Sequence, residues 1–115
     1  MSPAAATNLD RTFAALADPA RRGVIDLLRQ RPRRASELAD ELAMTRPAMS
    51  RHLRLLRRTG LVTEQELPDD ARVRMYQIEP QAFRELRGWL EEVEAFWGDQ
   101  LQAFKGHAER RTRKA

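Results

Sequence analysis

From Thr45 to Gly60 the chain reads TRPAMSRHLRLLRRTG, with five arginines, no acidic residue, and apolar Met49, Leu53 and Leu56 at i, i+4 and i+7. That spacing marks one stripe of an α-helix, so Arg46–Thr59 should fold with a buried stripe and a cationic outer face. Thr45 is placed to cap the first turn, and Gly60 to adopt the left-handed conformation that closes the last. Like charges one helical turn apart repel by about 0.2–0.5 kcal/mol per pair, and no acid within this helix offsets them. A helix of this kind calls for apolar packing on one side and an anionic partner on the other.

The residues just upstream supply the packing. Ala35–Ala43 reads as a short helix with Leu38, Ala39 and Leu42 turned inward, and Met44-Thr45 as a tight connection. Ala39 is small where the two helices cross, and Leu38, Leu42, Met49 and Leu53 make their shared core. These are the dimensions of a helix-turn-helix over residues 35–59. Leu9, Phe13 and Leu16 give a first helix, Asn8–Ala17, preceded by a disordered arm over residues 1–7. Asp18-Pro19 caps a second helix carrying Val24, Ile25, Leu27 and Leu28 and ended by Arg31-Pro32-Arg33; the first two helices together take residues 8–30.

After Gly60 the period shortens. Leu61–Leu67 and Val73–Ile78 flank the polar turn Pro68–Arg72, which predicts a hairpin over residues 61–78. Val73 and Met75 face one way, with Ile78 assigned to them at the ambiguous end, while Arg72, Arg74 and Tyr76 face the other. From Pro80 the chain is helical again over residues 80–108. Phe83, Leu86, Leu90, Val93, Trp97, Leu101 and Phe104 form a coiled-coil-like seam, followed by a charged tail at 109–115. The expected fold is mainly α with a small β-hairpin: a single winged helix-turn-helix domain over residues 1–115, ordered α-α-α-α-β-β-α and assembled as a homodimer.

Length and composition agree with this organisation. The 115 residues suit one domain, and 42% hydrophobic with 33% charged residues suits a globular chain. Zero Cys excludes a disulfide framework and thiolate metal sites. The chain lacks the roughly 18 apolar residues a membrane span needs, and Met1–Asp10 has no signal-peptide core, so the expectation is a cytoplasmic protein. The formal net charge of +4 is unevenly placed. Arg21–Arg58 holds eleven Arg against Asp26, Glu37, Asp40 and Glu41, a local balance of +7. Arginine's planar fork of donors suits phosphates and guanine edges, so double-stranded DNA is the leading partner.

Entering a major groove about 12 Å wide, the fourth helix would bring Arg46, Ser50 and Arg51 to base edges, and Arg54, Arg57 and Arg58 to phosphates, with Thr45 also in the DNA-binding set. Arg72 and Arg74 on the hairpin would reach the backbone or an adjacent minor groove. The last helix, about 25 residues and roughly 38 Å long, exceeds what a small body covers. Homodimerisation through the first and last helices, using Leu9, Phe13, Leu86, Leu90, Val93, Trp97 and Leu101, would complete its seam. Asp18 and Arg21 read as a cap with a structural ion pair.

Several motifs in order resemble the ArsR/SmtB winged-helix repressors: Leu16-Ala17-Asp18-Pro19-Ala20-Arg21, Ser36-Glu37-Leu38-Ala39, and Met49-Ser50-Arg51-His52-Leu53 through Gly60-Leu61-Val62. The resemblance runs from Asn8 to Ile78. It implies a homodimeric bacterial transcription regulator that binds an imperfect palindrome and represses, commonly its own operon. Carried over, the operator-contacting surface is Arg46, Ser50 and Arg51 with His52 beside them; Pro47 stands where the family often has a polar residue. The chain departs from the metal-sensing members. Its third helix has no Cys or His, and its last has only His107, so no metal and no cofactor is expected. The last helix, through Trp89-Leu90, Phe96-Trp97 and Leu101, is similar to a metal-independent branch, and no pattern specifies a small-molecule effector.

Two other functional classes compete with this one. A winged-helix module that binds an acidic protein surface, without reading DNA sequence, is the alternative. An enzyme is disfavoured, because no Ser/His/acid order, Gly-rich phosphate loop, metal cluster or carboxylate pair appears in a concave context.

Overall fold

The computed structural model describes residues 7–114. Its elements are α1 (Asn8–Leu16), α2 (Pro19–Leu28), β1 (Arg33–Arg34), α3 (Ala35–Glu41), α4 (Arg46–Thr59), β2 (Val62–Leu67), β3 (Asp70–Ile78) and α5 (Pro80–Lys114). The chain divides into two compact units at Phe83/Arg84.

Helix ends follow local chemistry. The Thr7 hydroxyl accepts the Asp10 N–H while the Asp10 carboxylate accepts the Thr7 N–H, a reciprocal cap on α1. Thr7 therefore belongs to the helix cap and not to the expected arm; residues 1–6 lie outside the described residues. Asp18 accepts from the Ala20 and Arg21 N–H groups and starts α2, with Pro19 at its first position. Partial burial raises the Asp18 carboxyl's pKa, but those two N–H bonds and the charges of Arg21 and His52 outweigh it and hold it below the usual range.

α3 and α4 end on the same device. At α3 the Met44 N–H bonds Ala39 O and the Ala43 N–H bonds Asp40 O, with Ala43 at φ 51°. At α4 the Leu61 N–H bonds Leu56 O and the Gly60 N–H bonds Arg57 O, with Gly60 at φ 83°. Both are Schellman closures, each turning the chain through one left-handed residue. The first sets the angle between the two helices of the helix-turn-helix.

Val24, Leu28, Leu38, Met49, Leu53, Leu56, Leu61 and Val62 form the core, with Ala15 and Ala39 at the tight crossings. Gly23 of α2 lies so close to Leu42 that an added Cβ would stand 3.0 Å from its Cδ2. Leu16, Ile25, Tyr76, Ile78, Ala82 and Phe83 pack around the edge. The sheet is three-stranded and antiparallel in the order β1-β3-β2, with Arg33 opposite Tyr76 and Arg34 opposite Met75. β1 was not expected. Ile78 also departs from expectation, since it shares its face with Tyr76, and both pack on the core. Along that face Val62 pairs Ile78, Glu64 pairs Tyr76, and Glu66 pairs Arg74. A bulge at Glu66/Leu67 then brings Leu67 opposite Asp70, so residues 71–73 are extra on β3 near the tip.

α5 runs 35 residues, through the stretch read as a tail and into Lys114. At 1.5 Å per residue it is about 52 Å long.

Candidate nucleic-acid interface

α4 holds the candidate site because three of its side chains, Met49, Leu53 and Leu56, are locked in the core. With those fixed, the opposite side must face solvent. Thr45, Arg46, Pro47, Ser50, Arg51, Arg54, Arg57 and Arg58 are all exposed. Thr45 spends its hydroxyl on the Ala48 N–H, 3.3 Å away, and so sets where the helix begins. Arg46, Ser50, Arg54 and Arg58 form an i, i+4 ridge along the outer face, with Arg51 beside it.

The structure sorts the eleven arginines of the basic third by partner. Arg21 Nε donates to Ala15 O at 2.7 Å and Arg22 Nη1 to Leu16 O at 2.7 Å, so both cap the end of α1. Arg29 pairs with Asp26 and Arg31 with Glu37. Arg33 is buried in β1, bonded through Nη2 to Gln30 at 2.8 Å, and its Nε has no protein partner. Arg57 pairs with Glu64. Among the described residues Arg34, Arg46, Arg51, Arg54 and Arg58 have no acidic partner in ion-pair range, and four of these five lie on α4.

The remaining sequence-picked residues divide. His52 is half-buried, with Nδ1 3.4 Å from Arg21 Nη1, on the side of α4 that meets α1 and α2. Its geometry joins it to the Asp18–Arg21 cap instead of the arginine ridge. Arg72 is almost fully exposed near the wing tip, with Nε 3.3 Å from Asp70. Arg74 does not extend from the wing alone: its guanidinium is bonded to Glu64.

Glu64 is the residue the sequence reading missed. It stands on β2 with its side chain 8% exposed, one oxygen on Arg74 and the other 2.7 Å from Arg57 Nη1. Tyr76 stands across the strand pair from it, and burial, then the Glu64 charge, pushes the Tyr76 pKa above its ordinary value. The available signal was strand parity, which puts Glu64 on the same face as Val62.

Of the proposed dimer residues in the body, Leu9 is half-buried and Phe13 is exposed on α1. On α5, Leu86 and Val93 are half-buried, while Leu90, Trp97 and Leu101 are exposed. Phe96 and Phe104 add to the exposed apolar surface of that helix. Among the described residues no group of three or more His, Cys, Asp or Glu could hold a metal ion, and no helix is long and apolar enough to cross a membrane.

Two helices, α1 and α2, packed against a helix-turn-helix, followed by a β-hairpin against the second of its helices, define a winged helix-turn-helix protein, a DNA-binding architecture. Comparison with known proteins narrows the class. The profile described as "Bacterial regulatory protein, arsR family" matches residues 18–64. The HTH-type transcriptional regulator Rv2034 of Mycobacterium tuberculosis is 36% identical over 100 residues, 87% of this chain and 85% of that protein. An ArsR-like transcriptional regulator from Rhodococcus sp. RHA1 superimposes with a TM-score of 0.71 at 30% identity, covering 85% of this chain and 90% of that one. The homodimeric winged helix-turn-helix DNA-binding domain Mb0332 from Mycobacterium bovis gives 0.61 at 26% identity, over 76% and 78% of the two chains. The chain belongs to the ArsR family of bacterial transcriptional regulators.

Proposed function

We propose that the protein acts as a homodimer that reads a palindromic operator through the outer face of α4 and represses transcription there, in the cytoplasm and without a metal or other cofactor. The observation that carries this reading is the ridge of Arg46, Arg51, Arg54 and Arg58, exposed and free of acidic partners among the described residues. The fold holds these like charges together against their own repulsion, which an anionic duplex relieves.

Arg46, Ser50 and Arg51, at the start of α4, meet base edges and supply discrimination. Arg54 and Arg58 meet phosphates, and Arg57 and Arg72 add backbone contacts. The dimer pairs α1 and α5 through Phe13, Leu90, Trp97 and Leu101, with Leu9, Leu86 and Val93 beside them, burying apolar surface that is exposed in the single chain. The homodimeric M. bovis neighbour supports this assembly. Its two α4 helices would then enter successive major grooves about 34 Å apart.

Single alanines at Arg46 and Arg57 test the assignment, titrated against DNA upstream of the protein's own gene and against a scrambled duplex. Arg46→Ala should lose operator affinity by about 1–3 kcal/mol and relax the preference for one base pair. Arg57→Ala should weaken both duplexes by a similar factor. Unchanged operator affinity in both variants would refute the recognition surface.

A further inference from the structure

We propose that Glu64 is a positioning residue that limits sequence-independent DNA attraction by holding Arg57 and Arg74 in a trio of net charge +1. The inference rests on the DNA-binding reading above and adds a residue that opposes part of the basic surface. Three elements meet at this carboxylate, which lies largely out of solvent on β2. Arg57 comes to it from α4, Arg74 from β3, and Tyr76 from directly across the strand pair.

Each arginine pairs with Glu64 through Nη1 yet stays about half-exposed, at 48% for Arg57 and 56% for Arg74. A guanidinium has five N–H donors, so each can still reach a phosphate while held. What changes is the charge the phosphate meets: one unit from the trio, where two free arginines would present two. The same contacts tie the wing to the recognition helix, so both approach the duplex as one piece. Glu64 therefore lowers attraction to any duplex while fixing the geometry that only the correct site can use.

Replacing the carboxylate by its neutral isostere separates these effects. In Glu64→Gln the two guanidiniums lose their shared anion and repel, and the trio carries +2. Binding to a scrambled duplex should tighten about three- to tenfold at low salt, and the plot of log affinity against log salt should steepen by about one unit, close to the 0.9 expected per added phosphate contact. Operator binding should gain less, so the operator-to-scramble ratio falls at least about threefold. In Glu64→Gln/Arg57→Gln the trio returns to +1, so the slope should return to the wild-type value while the ratio stays low.

Titrations of the full chain between 50 and 200 mM salt, with the melting temperature of each variant, decide the matter. A scramble slope unchanged in the folded Glu64→Gln protein would overturn the inference, as would operator and scramble affinities falling in parallel with a falling Tm. If Glu64→Gln alone does not fold, a double variant whose slope departs from wild type overturns it. Wild-type protein that fails to distinguish operator from scramble defeats the DNA reading itself, which is a separate result.

Discussion

Ala43 holds a left-handed backbone, φ 51°, at the turn of the helix-turn-helix. A side chain there costs about 1–2 kcal/mol, and glycine carries no such penalty. The two hydrogen bonds of the α3 closure hold the residue there and so keep the angle at which α4 leaves α3. Ala43→Gly should therefore raise stability by about 0.5–1 kcal/mol, after glycine's extra freedom in the unfolded chain is subtracted. Thermal unfolding should show a gain of a few degrees, and a lower Tm would mean the Ala43 methyl makes packing that the backbone argument omits. Residues whose role is local were legible in the sequence: Asp18, Pro19, Thr45 and Gly60 act on N–H and C=O groups within a few positions. Glu64 and Arg33 were not, because their partners come from other elements. A count of arginines cannot reveal that Arg21 and Arg22 close a helix or that Arg57 meets an acid from β2.

Among the elements, α4 was readable to its ends because periodicity, cap and breaker all coincide on it. β1 was not, since two consecutive arginines have no strand pattern and are extended only by pairing with Tyr76 and Met75. The mistaken facing of Ile78 has the same origin: which side of a strand is buried depends on what packs above it. α5 outruns its expected end because Glu109, Arg110, Arg111 and Lys114 are good helix formers and no proline stops them. Its exposed Leu90, Trp97 and Leu101 belong to the proposed dimer, so the double variant Leu90→Asp/Trp97→Asp should halve the mass seen in sedimentation at micromolar concentration. The core of residues 7–83 does not use these side chains, and the variant should still unfold cooperatively. A chain that sediments identically with and without the substitutions would place the interface elsewhere.

At the scale of the whole molecule, the fold spends much of its basic charge on itself and leaves a cationic surface on α4 without acidic partners among the described residues. Arg21, Arg22, Arg29, Arg31 and Arg33 serve helix ends, ion pairs and the sheet, while Arg46, Arg51, Arg54 and Arg58 remain for a partner. A dimer doubles that surface and gives it two-fold symmetry. The direct measurement is selection of bound duplexes from a random pool by the full-length protein at about 150 mM salt, followed by anisotropy on the selected and scrambled sequences. The account predicts a two-fold-symmetric motif with half-sites one helical turn apart, bound about a thousandfold or more tighter than the scramble. Enrichment of no motif, with weak binding that disappears as salt rises, would contradict it and reduce α4 to a sequence-blind electrostatic surface.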